Sequence, residues 1–180
     1  MGLDRYSWYA LSVRSRWEKA VSDGLRRRGF EELLPQCQEK HEWSDRIKDV
    51  SLPLFPGYVF CQFDISRRLP VLSTPGVKSV VGFGSQPYPL DPSEIDAIQT
   101  LMRSGVEREP CPYIVCGEPA RIIAGPLRGV AGIVAEVRNQ KRLILSVTLL
   151  QRSVAVEVER EWIEVQPAAP RSLAARAATS

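Results

Sequence analysis

The chain opens with a short apolar run and then changes to helical spacing. Residues 8–13, WYALSV, are typical of a β-strand. The next segment predicts an amphipathic helix over residues 16–28, because its apolar members share the three- and four-residue spacing of one buried face, namely Trp17, Ala20, Val21, Gly24 and Leu25. Ser15 and Glu18 fit a capping box at the start of this helix, and Gly29 stands where it would end.

The remainder of the first hundred residues predicts further strands and helices. Three segments are rich in strand-forming residues, at 30–40, 56–64 and 78–83, and the polar stretch HEWSDRIKD after the first is predicted as a hairpin arm or loop. A short helix at 67–72 requires Pro70 in its first turn. DPSEIDAIQTLM predicts a longer helix with Asp91 as N-cap and Pro92 at the first helical position. This order describes an α+β fold, an α/β sandwich with helices against a mainly antiparallel sheet.

The pattern changes after residue 103. Residues 104–113, SGVEREPCPY, lack periodicity and contain two prolines, so they are predicted as a linker. Residues 114–167 carry five β-branched segments separated by turn residues, which predicts a small five-stranded β-barrel. Residues 168–180 have little large apolar content and are predicted as a disordered tail. The predicted organisation is therefore an N-terminal domain over 1–103, a linker, a barrel and a tail.

The stretch SLPLFPGYVFCQFD, residues 51–64, concentrates aromatic side chains. Phe55, Tyr58, Phe60 and Phe63 lie close together in the sequence. Because strand side chains alternate in direction, a strand cannot direct all of them to one face. Core packing and a docking surface are both open interpretations of this pattern.

Charge and hydropathy exclude several classes of protein. No run of apolar residues is long enough to cross a membrane, and the charged N-terminus does not fit a signal peptide, so we expect a cytoplasmic location. The net charge is only +3, with 14 basic and 13 acidic residues in 1–103 and 7 and 6 in 117–166. A protein that binds chiefly through phosphate neutralisation would show a basic excess. Any nucleic-acid contact is expected to be local, with a protein partner supplying most of the affinity.

The sequence contains no recognisable catalytic or cofactor motif. It has no P-loop and no Gly-x-Ser-x-Gly elbow, and GFG at 82–84 falls short of a dinucleotide fingerprint. Cys111 and Cys116 with the distant His41 do not make a zinc pattern, which needs four ligands. We therefore expect a protein that is not an enzyme and that has no metal and no cofactor.

Several motifs together carry a family resemblance. WYALSVRSRWEKA, LFPGYVFCQFD and STPGVKSVVGFG, in this order, resemble the N-terminal domain of the NusG family of transcription factors. GEPARIIAGPLRGVAGIVAEV and RLILSVTLLQRSVAVEVE resemble its KOW domain, a barrel of the SH3-like type. The pattern looks closest to the specialised RfaH and UpxY type of antiterminators. The resemblance implies a monomeric elongation or antitermination factor that binds RNA polymerase and suppresses pausing or termination. The alternatives are a housekeeping factor that assists Rho and a KOW-type RNA-binding ribosomal or assembly protein.

The resemblance also implies contact residues in the N-terminal domain. The clamp helices of the largest polymerase subunit would bind at the positions that match an apolar depression in the family, which are Phe55, Tyr58, Phe60 and Phe83. The gate loop of the other large subunit would meet Arg67 and Arg68, although the sequence is two residues shorter here than RfaH and lacks its His-Thr-Thr run. Upstream or non-template DNA would meet Arg14, Arg27, Arg28 and Thr74. For the arginines at 26–28, a solvated helix end is an equally open interpretation.

In the family, the KOW domain binds partners on one side of its barrel. The implied partner is ribosomal protein S ten, with Rho as a second partner whose binding the sequence leaves open. The matching positions are Val130 and Leu150, with Leu149 adjacent. The alternative is that all three fill the barrel, since small closed barrels need inward apolar residues.

Overall fold

A computed structural model describes residues 6–43, 46–113, 117–137 and 140–166. The predicted tail at 168–180 and Cys116 lie outside the described residues. Within these described residues the α-helices are α1 at Glu18–Arg27, α2 at Leu69–Leu72 and α3 at Pro92–Ser104. The strands are β1 Ser7–Val13, β2 Glu31–Leu33, β3 Gln36–Trp43, β4 Arg46–Pro53, β5 Tyr58–Phe63, β6 Val77–Val80, β7 Gly82–Phe83, β8 Gln86–Pro87, β9 Arg108–Pro112, β10 Glu118–Ile122, β11 Ala131–Val137, β12 Gln140–Val147, β13 Arg152–Val156 and β14 Ile163–Val165.

A four-stranded sheet organises the first hundred residues. Its order is β2-β5-β1-β6, and each adjacent pair is antiparallel. In the central pair, Ala10 lies opposite Phe60 and Leu11 lies opposite Val59. These neighbouring pairs point to opposite faces of the sheet. The sheet therefore has two apolar faces that helices must cover, as in an α/β sandwich.

Each face of this sheet belongs to its own apolar cluster. The first cluster joins the sheet to α1 and α2 and contains Tyr9, Leu11, Val13, Val21, Leu25, Val59, Cys61, Phe63 and Val71. The second cluster starts from Ala10 and Phe60, includes Ile95, Ile98 and Leu101 of α3, and continues into the barrel core. We refer to these as the α1 face and the α3 face of the sheet.

Helix α1 forms where its apolar spacing predicts it, but the predicted capping box is wrong. Trp17 occupies the N-cap position, and no side chain caps the first turn. Glu18 is buried, and its Oε1 instead accepts a hydrogen bond from the Gly57 backbone N–H at 2.8 Å. The carboxylate thus connects the start of α1 to the turn that precedes β5. Val21 and Leu25 are fully buried as predicted, whereas Trp17 is 40% exposed.

The second predicted helix is confirmed together with its cap. The Asp91 side chain accepts hydrogen bonds from the Ser93 N–H at 2.8 Å and from the Ser93 hydroxyl at 2.7 Å, and Gly105 ends α3 in the left-handed region at φ +69°. The Ser93 hydroxyl and N–H hold the pKa of Asp91 below its ordinary value. Helix α2 is also confirmed, with Pro70 in its first turn.

Predicted strands are interrupted where the chain changes direction. The strand predicted at 30–40 divides into β2 and β3, and the polar stretch after it belongs to a long β3–β4 hairpin. The strand predicted at 78–83 divides into β6 and β7, with β7 paired to β8 in a small hairpin. A Cβ at Gly82 would collide with the Gln86 carbonyl, so this narrow hairpin requires glycine.

The second half of the chain forms the predicted barrel with one additional strand. The five predicted strands correspond to β10–β14, and the sheet order is β14-β10-β11-β12-β13-β9, with each adjacent pair antiparallel. The sixth strand, β9, comes from the segment predicted as a linker, which is a correction. Prolines are tolerated there because β9 is an edge strand of the sheet.

Polar contacts join α3 and β3 to the second half of the chain. The Glu94 carboxylate of α3 accepts hydrogen bonds from the Thr148 N–H at 3.0 Å and from the Thr148 hydroxyl at 2.6 Å. The Arg108 Nε of β9 donates to the Gln36 carbonyl of β3 at 2.9 Å. The division of the chain into two domains stays a prediction, and in this structure the two halves share contacts.

Candidate functional site

The aromatic side chains of residues 55–63 divide between the two faces of the sheet. Phe63 packs on the α1 face against Tyr9, with ring centroids 4.9 Å apart. Phe55 and Phe60 lie on the α3 face in an edge-to-face pair at 5.4 Å, and both are fully buried. Tyr58 is half-buried beside the same cluster. Of these four aromatics, only Tyr58 therefore offers part of its surface to a partner.

A second aromatic pair projects from the β7–β8 hairpin. Phe83 is 68% exposed and packs edge-to-face on Tyr88, which is 53% exposed, with centroids 5.2 Å apart. The hairpin is anchored to β1, because the Val81 N–H donates to the Ala10 carbonyl at 2.8 Å. On its other edge β1 pairs with β5, where Phe60 lies opposite Ala10. The exposed pair of Phe83 and Tyr88 is therefore separated from the buried pair of Phe55 and Phe60 by one strand. The sequence pattern had not identified Tyr88, although a Gly-Ser turn between Phe83 and Tyr88 is a signal for such a hairpin.

The turn between these aromatics and α1 is fixed by backbone groups. Gly57 has φ +85°, a conformation that glycine adopts readily. Its N–H donates to Glu18 and its carbonyl accepts from the Val13 N–H at 2.9 Å. The Tyr58 N–H donates to the Phe55 carbonyl at 3.1 Å. Tyr58 is therefore held at the end of a closed turn.

The predicted gate-loop residues lie on the surface. Arg67 and Arg68 are exposed and immediately precede Leu69, which is 76% exposed. The turn behind them is supported by Arg28, whose Nη1 donates to the Pro70 carbonyl at 2.8 Å. These side chains are available to a partner.

The four predicted DNA-binding residues differ in accessibility. Arg14 and Arg27 are exposed, and the Arg14 guanidinium carbon lies 5.6 Å from the centroid of the Trp17 ring. Arg28 is exposed but uses Nη1 on Pro70 and Ser73. Thr74 corrects the prediction, because it is only 2% exposed and its hydroxyl donates to the Pro70 carbonyl at 3.3 Å. Packing against α1 excludes it from contact with a phosphate in this conformation.

The predicted partner residues of the barrel are mostly internal. Val130 and Leu150 are each 7% exposed and belong to the apolar cluster of the α3 face. Leu149 is half-buried at its margin, in the 3₁₀ turn Thr148–Leu150. The interpretation that Val130 and Leu150 fill the barrel fits this burial.

The described residues offer no arrangement of metal ligands. Among residues 6–43, 46–113, 117–137 and 140–166, no group of three His, Cys, Asp or Glu side chains is placed to hold a metal ion. Burial, with a smaller contribution from Glu32, raises the pKa of the Cys61 thiol to about 12, which keeps it in the unreactive thiol form. No helix in the same part of the chain is long and apolar enough to cross a membrane.

Comparison with known proteins identifies relatives along nearly the whole chain. The family model described as "Transcription termination factor nusG" matches residues 6–99. The NusG termination/antitermination protein of Halalkalibacterium halodurans is 31% identical over 173 residues, covering 88% of this chain and 97% of the relative. The NusG protein of Pseudomonas aeruginosa is 32% identical over 171 residues, with 87% and 97% coverage.

A solved structure shows the same fold. It describes the domain interaction in Thermotoga maritima NusG, and it aligns with a TM-score of 0.55 and 21% identity over 90% of this chain and 98% of that one. The closeness to RfaH and UpxY proteins stays a prediction, because these relatives carry the general family name. The family model and the curated relatives together show that this chain belongs to the NusG family of transcription termination/antitermination factors.

Proposed function

We propose that this protein is a transcription elongation and antitermination factor that binds RNA polymerase through the β7–β8 hairpin, next to the α3 face of its N-terminal sheet. The observation that carries the proposal is the exposed pair Phe83 and Tyr88, anchored one strand away from the aromatic cluster of Phe55 and Phe60. Family membership supports a role on the transcription machinery.

The binding surface has an exposed part and a buried part. Phe83, Tyr88 and the half-buried Tyr58 make the first contacts with the clamp helices of the largest subunit. Phe55 and Phe60 are fully buried, which corrects their prediction as direct contacts, and they support this surface from beneath. Aromatic anchors of this kind commonly dominate an interface, and each truncation costs about 2 kcal/mol or more.

The mechanism is a shift of population without a chemical step. Polymerase exchanges between an elongating state with a closed clamp and a paused, more open state. A factor that binds the closed state more tightly favours elongation by the ratio of its two affinities, so a tenfold preference changes the equilibrium by about 1.4 kcal/mol. Arg67 and Arg68 contact the gate loop on the opposite wall of the polymerase cleft, so that one small protein bridges the cleft. Arg14 and Arg27 contact nearby DNA.

The barrel supplies a separate partner surface. Because Val130 and Leu150 are internal, Leu149 and the exposed Thr148 are the side chains of this region that reach a partner such as ribosomal protein S ten. Binding there would couple transcription to translation. A smaller apolar surface than the family's aromatic contacts is consistent with loss of Rho binding in an antiterminator.

The first experiment compares binding of the full chain to core RNA polymerase with that of Phe83→Ala and Tyr88→Ala. Both side chains are exposed, so both variants are expected to keep the thermal stability of the wild type. Each is expected to lose binding by roughly 30-fold, the equivalent of about 2 kcal/mol. Ile123→Ala is the matched control, because Ile123 is an exposed apolar residue of the barrel, 46% accessible. Equal binding by all four proteins would overturn the proposed docking surface.

A transcription assay then separates antitermination from assistance to Rho. An antiterminator lengthens the distance between pauses and reduces release at terminators, whereas a Rho-assisting factor increases release when Rho is added. Increased Rho-dependent release by the wild-type chain would reject the antitermination role and retain the family assignment.

A further inference from the structure

A cavity of about 770 Å³ lies between helix α3 and the barrel strands β10, β11 and β12. Its helix wall carries Glu94, Asp96 and Thr100, and its barrel wall carries Arg121 and Arg128 among smaller residues. We call this space the α3–barrel cavity. Its volume is in the range of pockets that hold small molecules, about 300–1,000 Å³. The residues proposed to contact polymerase and DNA lie outside its lining.

The hairpin between β10 and β11 brings both arginines to one wall of the cavity. Arg121 lies opposite Ala131 in the register of these strands, and Arg128 belongs to a turn that the Gly129 N–H closes by donating to the Ile122 carbonyl at 2.7 Å. Both arginines are exposed, and among the described residues neither guanidinium has a hydrogen-bond or ion-pair partner. Two cations therefore share this wall without a protein group that neutralises them by contact.

The facing wall, on α3, is acidic. The Glu94 carboxylate is already occupied, because its Oε1 accepts both the N–H and the hydroxyl of Thr148. Asp96 is exposed one position beyond the buried Ile95, and in the described part of the chain no ion pair within 4.0 Å joins it to an arginine. Opposite charges thus line two walls that stay apart. One ligand with an anionic end and hydrogen-bond donors at its other end would satisfy both walls.

The space between the charged groups has apolar and aromatic surface. Ile133 lies opposite Ile144 in the register of β11 and β12, and both line the cavity together with the half-buried Tyr113. Ala131 and Gly132 beside them add little side-chain volume. A flat ring system fits such a surface, because ring faces pack well on aliphatic and aromatic side chains.

The chemistry of the cavity matches a nucleoside diphosphate. A guanidinium group binds phosphate oxygens through paired N–H donors, so two arginines suit two phosphates. The apolar surface accommodates the nucleobase, and the Asp96 carboxylate accepts hydrogen bonds from amino groups of the base or from ribose hydroxyls. Inorganic diphosphate would use the arginine wall alone, and a nucleoside would leave both arginines without an anion.

We infer that the α3–barrel cavity binds a nucleoside diphosphate, with its phosphates on Arg121 and Arg128 and its base against Tyr113, Ile133 and Ile144. The bound nucleotide contacts α3 and the barrel at the same time, so it stabilises the arrangement in which the two halves of the chain share contacts. The inference goes beyond the proposed function, which uses other residues and assigns no ligand to this space.

The test is isothermal titration calorimetry of the full chain with adenosine diphosphate, guanosine diphosphate, inorganic diphosphate, adenosine and guanosine. The wild type is expected to bind one or both nucleotides in a one-to-one ratio, roughly tenfold or more tightly than the other three probes, because each of those meets only part of the cavity. Arg121→Gln and Arg128→Gln should each weaken nucleotide binding about ten- to 100-fold, the loss expected for hydrogen bonds to a charged group. Arg152→Gln is the matched control, because Arg152 is an exposed cation of β13 outside the cavity lining.

Two further variants test the cavity without removing an arginine. Ala131 is exposed on the cavity wall, and phenylalanine suits a strand, so Ala131→Phe should keep the Tm of the wild type. Its ring should occupy the space and weaken nucleotide binding roughly tenfold or more. Asp96→Asn should change the ratio of the affinities for adenosine and guanosine diphosphate, because an amide donates hydrogen bonds as well as accepting them.

The outcomes separate this inference from the proposed function. Phe83→Ala should bind the nucleotide like the wild type while losing polymerase, and Arg121→Gln should bind polymerase like the wild type. The inference is overturned if the wild type binds neither nucleotide, or if inorganic diphosphate binds as tightly as the nucleotides. It is also overturned if Arg121→Gln and Arg128→Gln bind like Arg152→Gln, or if a folded Ala131→Phe keeps its affinity, because the ligand would then lie elsewhere.

Discussion

The hydrogen bond between Glu18 and the Gly57 N–H predicts how two substitutions at the start of α1 change stability. The prediction distinguishes this contact from a capping box formed by Ser15 and Glu18. The Glu18 side chain is 7% exposed and accepts the Gly57 N–H at 2.8 Å. A capping box would instead make Ser15 the important residue, because its hydroxyl would bond the first turn. Substitution of each residue by alanine therefore separates the two explanations.

The magnitude follows from the burial and charge of the contact. A hydrogen bond to a charged group contributes about 1.5–3 kcal/mol, and truncation leaves the partly buried Gly57 N–H without its partner. We expect Glu18→Ala to lower the free energy of unfolding by about 2–3 kcal/mol. Glu18→Gln keeps an acceptor without the charge and should lose about 1 kcal/mol. Ser15→Ala should change stability by less than about 0.5 kcal/mol, because no side-chain cap is present.

Urea denaturation followed by circular dichroism measures these differences in the free energy of unfolding. In a thermal melt, a loss of 2 kcal/mol should lower Tm by about 4–8 °C in a chain of this size. Glu31→Ala is the control, because Glu31 is an exposed glutamate of β2. A Glu18→Ala variant as stable as Glu31→Ala, or a Ser15→Ala variant that loses more than Glu18→Ala, would refute the reasoning.

Three further predictions follow from the packing. Gly76→Ala would place a Cβ against Trp17 at φ +96°, so we expect a loss of about 2 kcal/mol in urea denaturation and a changed tryptophan emission spectrum; wild-type stability would contradict this. Thr148→Val removes the hydroxyl bond to Glu94 at an exposed site, and a double-mutant cycle with Glu94→Ala should give a coupling energy of about 0.5 kcal/mol, with zero coupling as the contrary result. Burial raises the pKa of the Cys61 thiol from 9.0 to about 12. The protonated thiol therefore contributes its full stability below pH 9, and this contribution is lost as the pH rises toward 12. Iodoacetamide at pH 8 should label Cys61 in urea and spare it in the native protein.

Local signals in the sequence predicted the elements that local physics determines. Helix α3 spans Pro92–Ser104 because the Asp91 side-chain cap before it and the left-handed Gly105 after it fix its ends locally. The alternation rule also predicted that the aromatics of residues 55–63 would divide between two faces, and Phe60 and Phe63 do so.

Elements that depend on distant partners were not predictable in the same way. Glu18 finds its partner 39 residues away, and a three-residue capping pattern carries no information about Gly57. Strand β9 pairs with β13, from Pro112↔Arg152 to Arg108↔Val156, which are 40 and 48 residues apart in the sequence. Its two prolines indicate a linker unless its edge position is known. The burial of Thr74 likewise depends on α1 and α2 meeting, so its match to a family position did not reveal that it is inaccessible.

The four-stranded sheet separates the polymerase contact and the DNA contact proposed for this protein. Arg14 lies beside Trp17 at the start of α1, whose buried residues pack on the α1 face, whereas Leu90, at the return from the Phe83 hairpin, packs in the cluster of the α3 face. The strands between them alternate side chains, so each face has its own set of packing residues. A substitution at an exposed position on one side is therefore expected to leave the other contact intact. Because the sheet itself is shared, a substitution that disrupts the register of β1 and β5 would remove both contacts together.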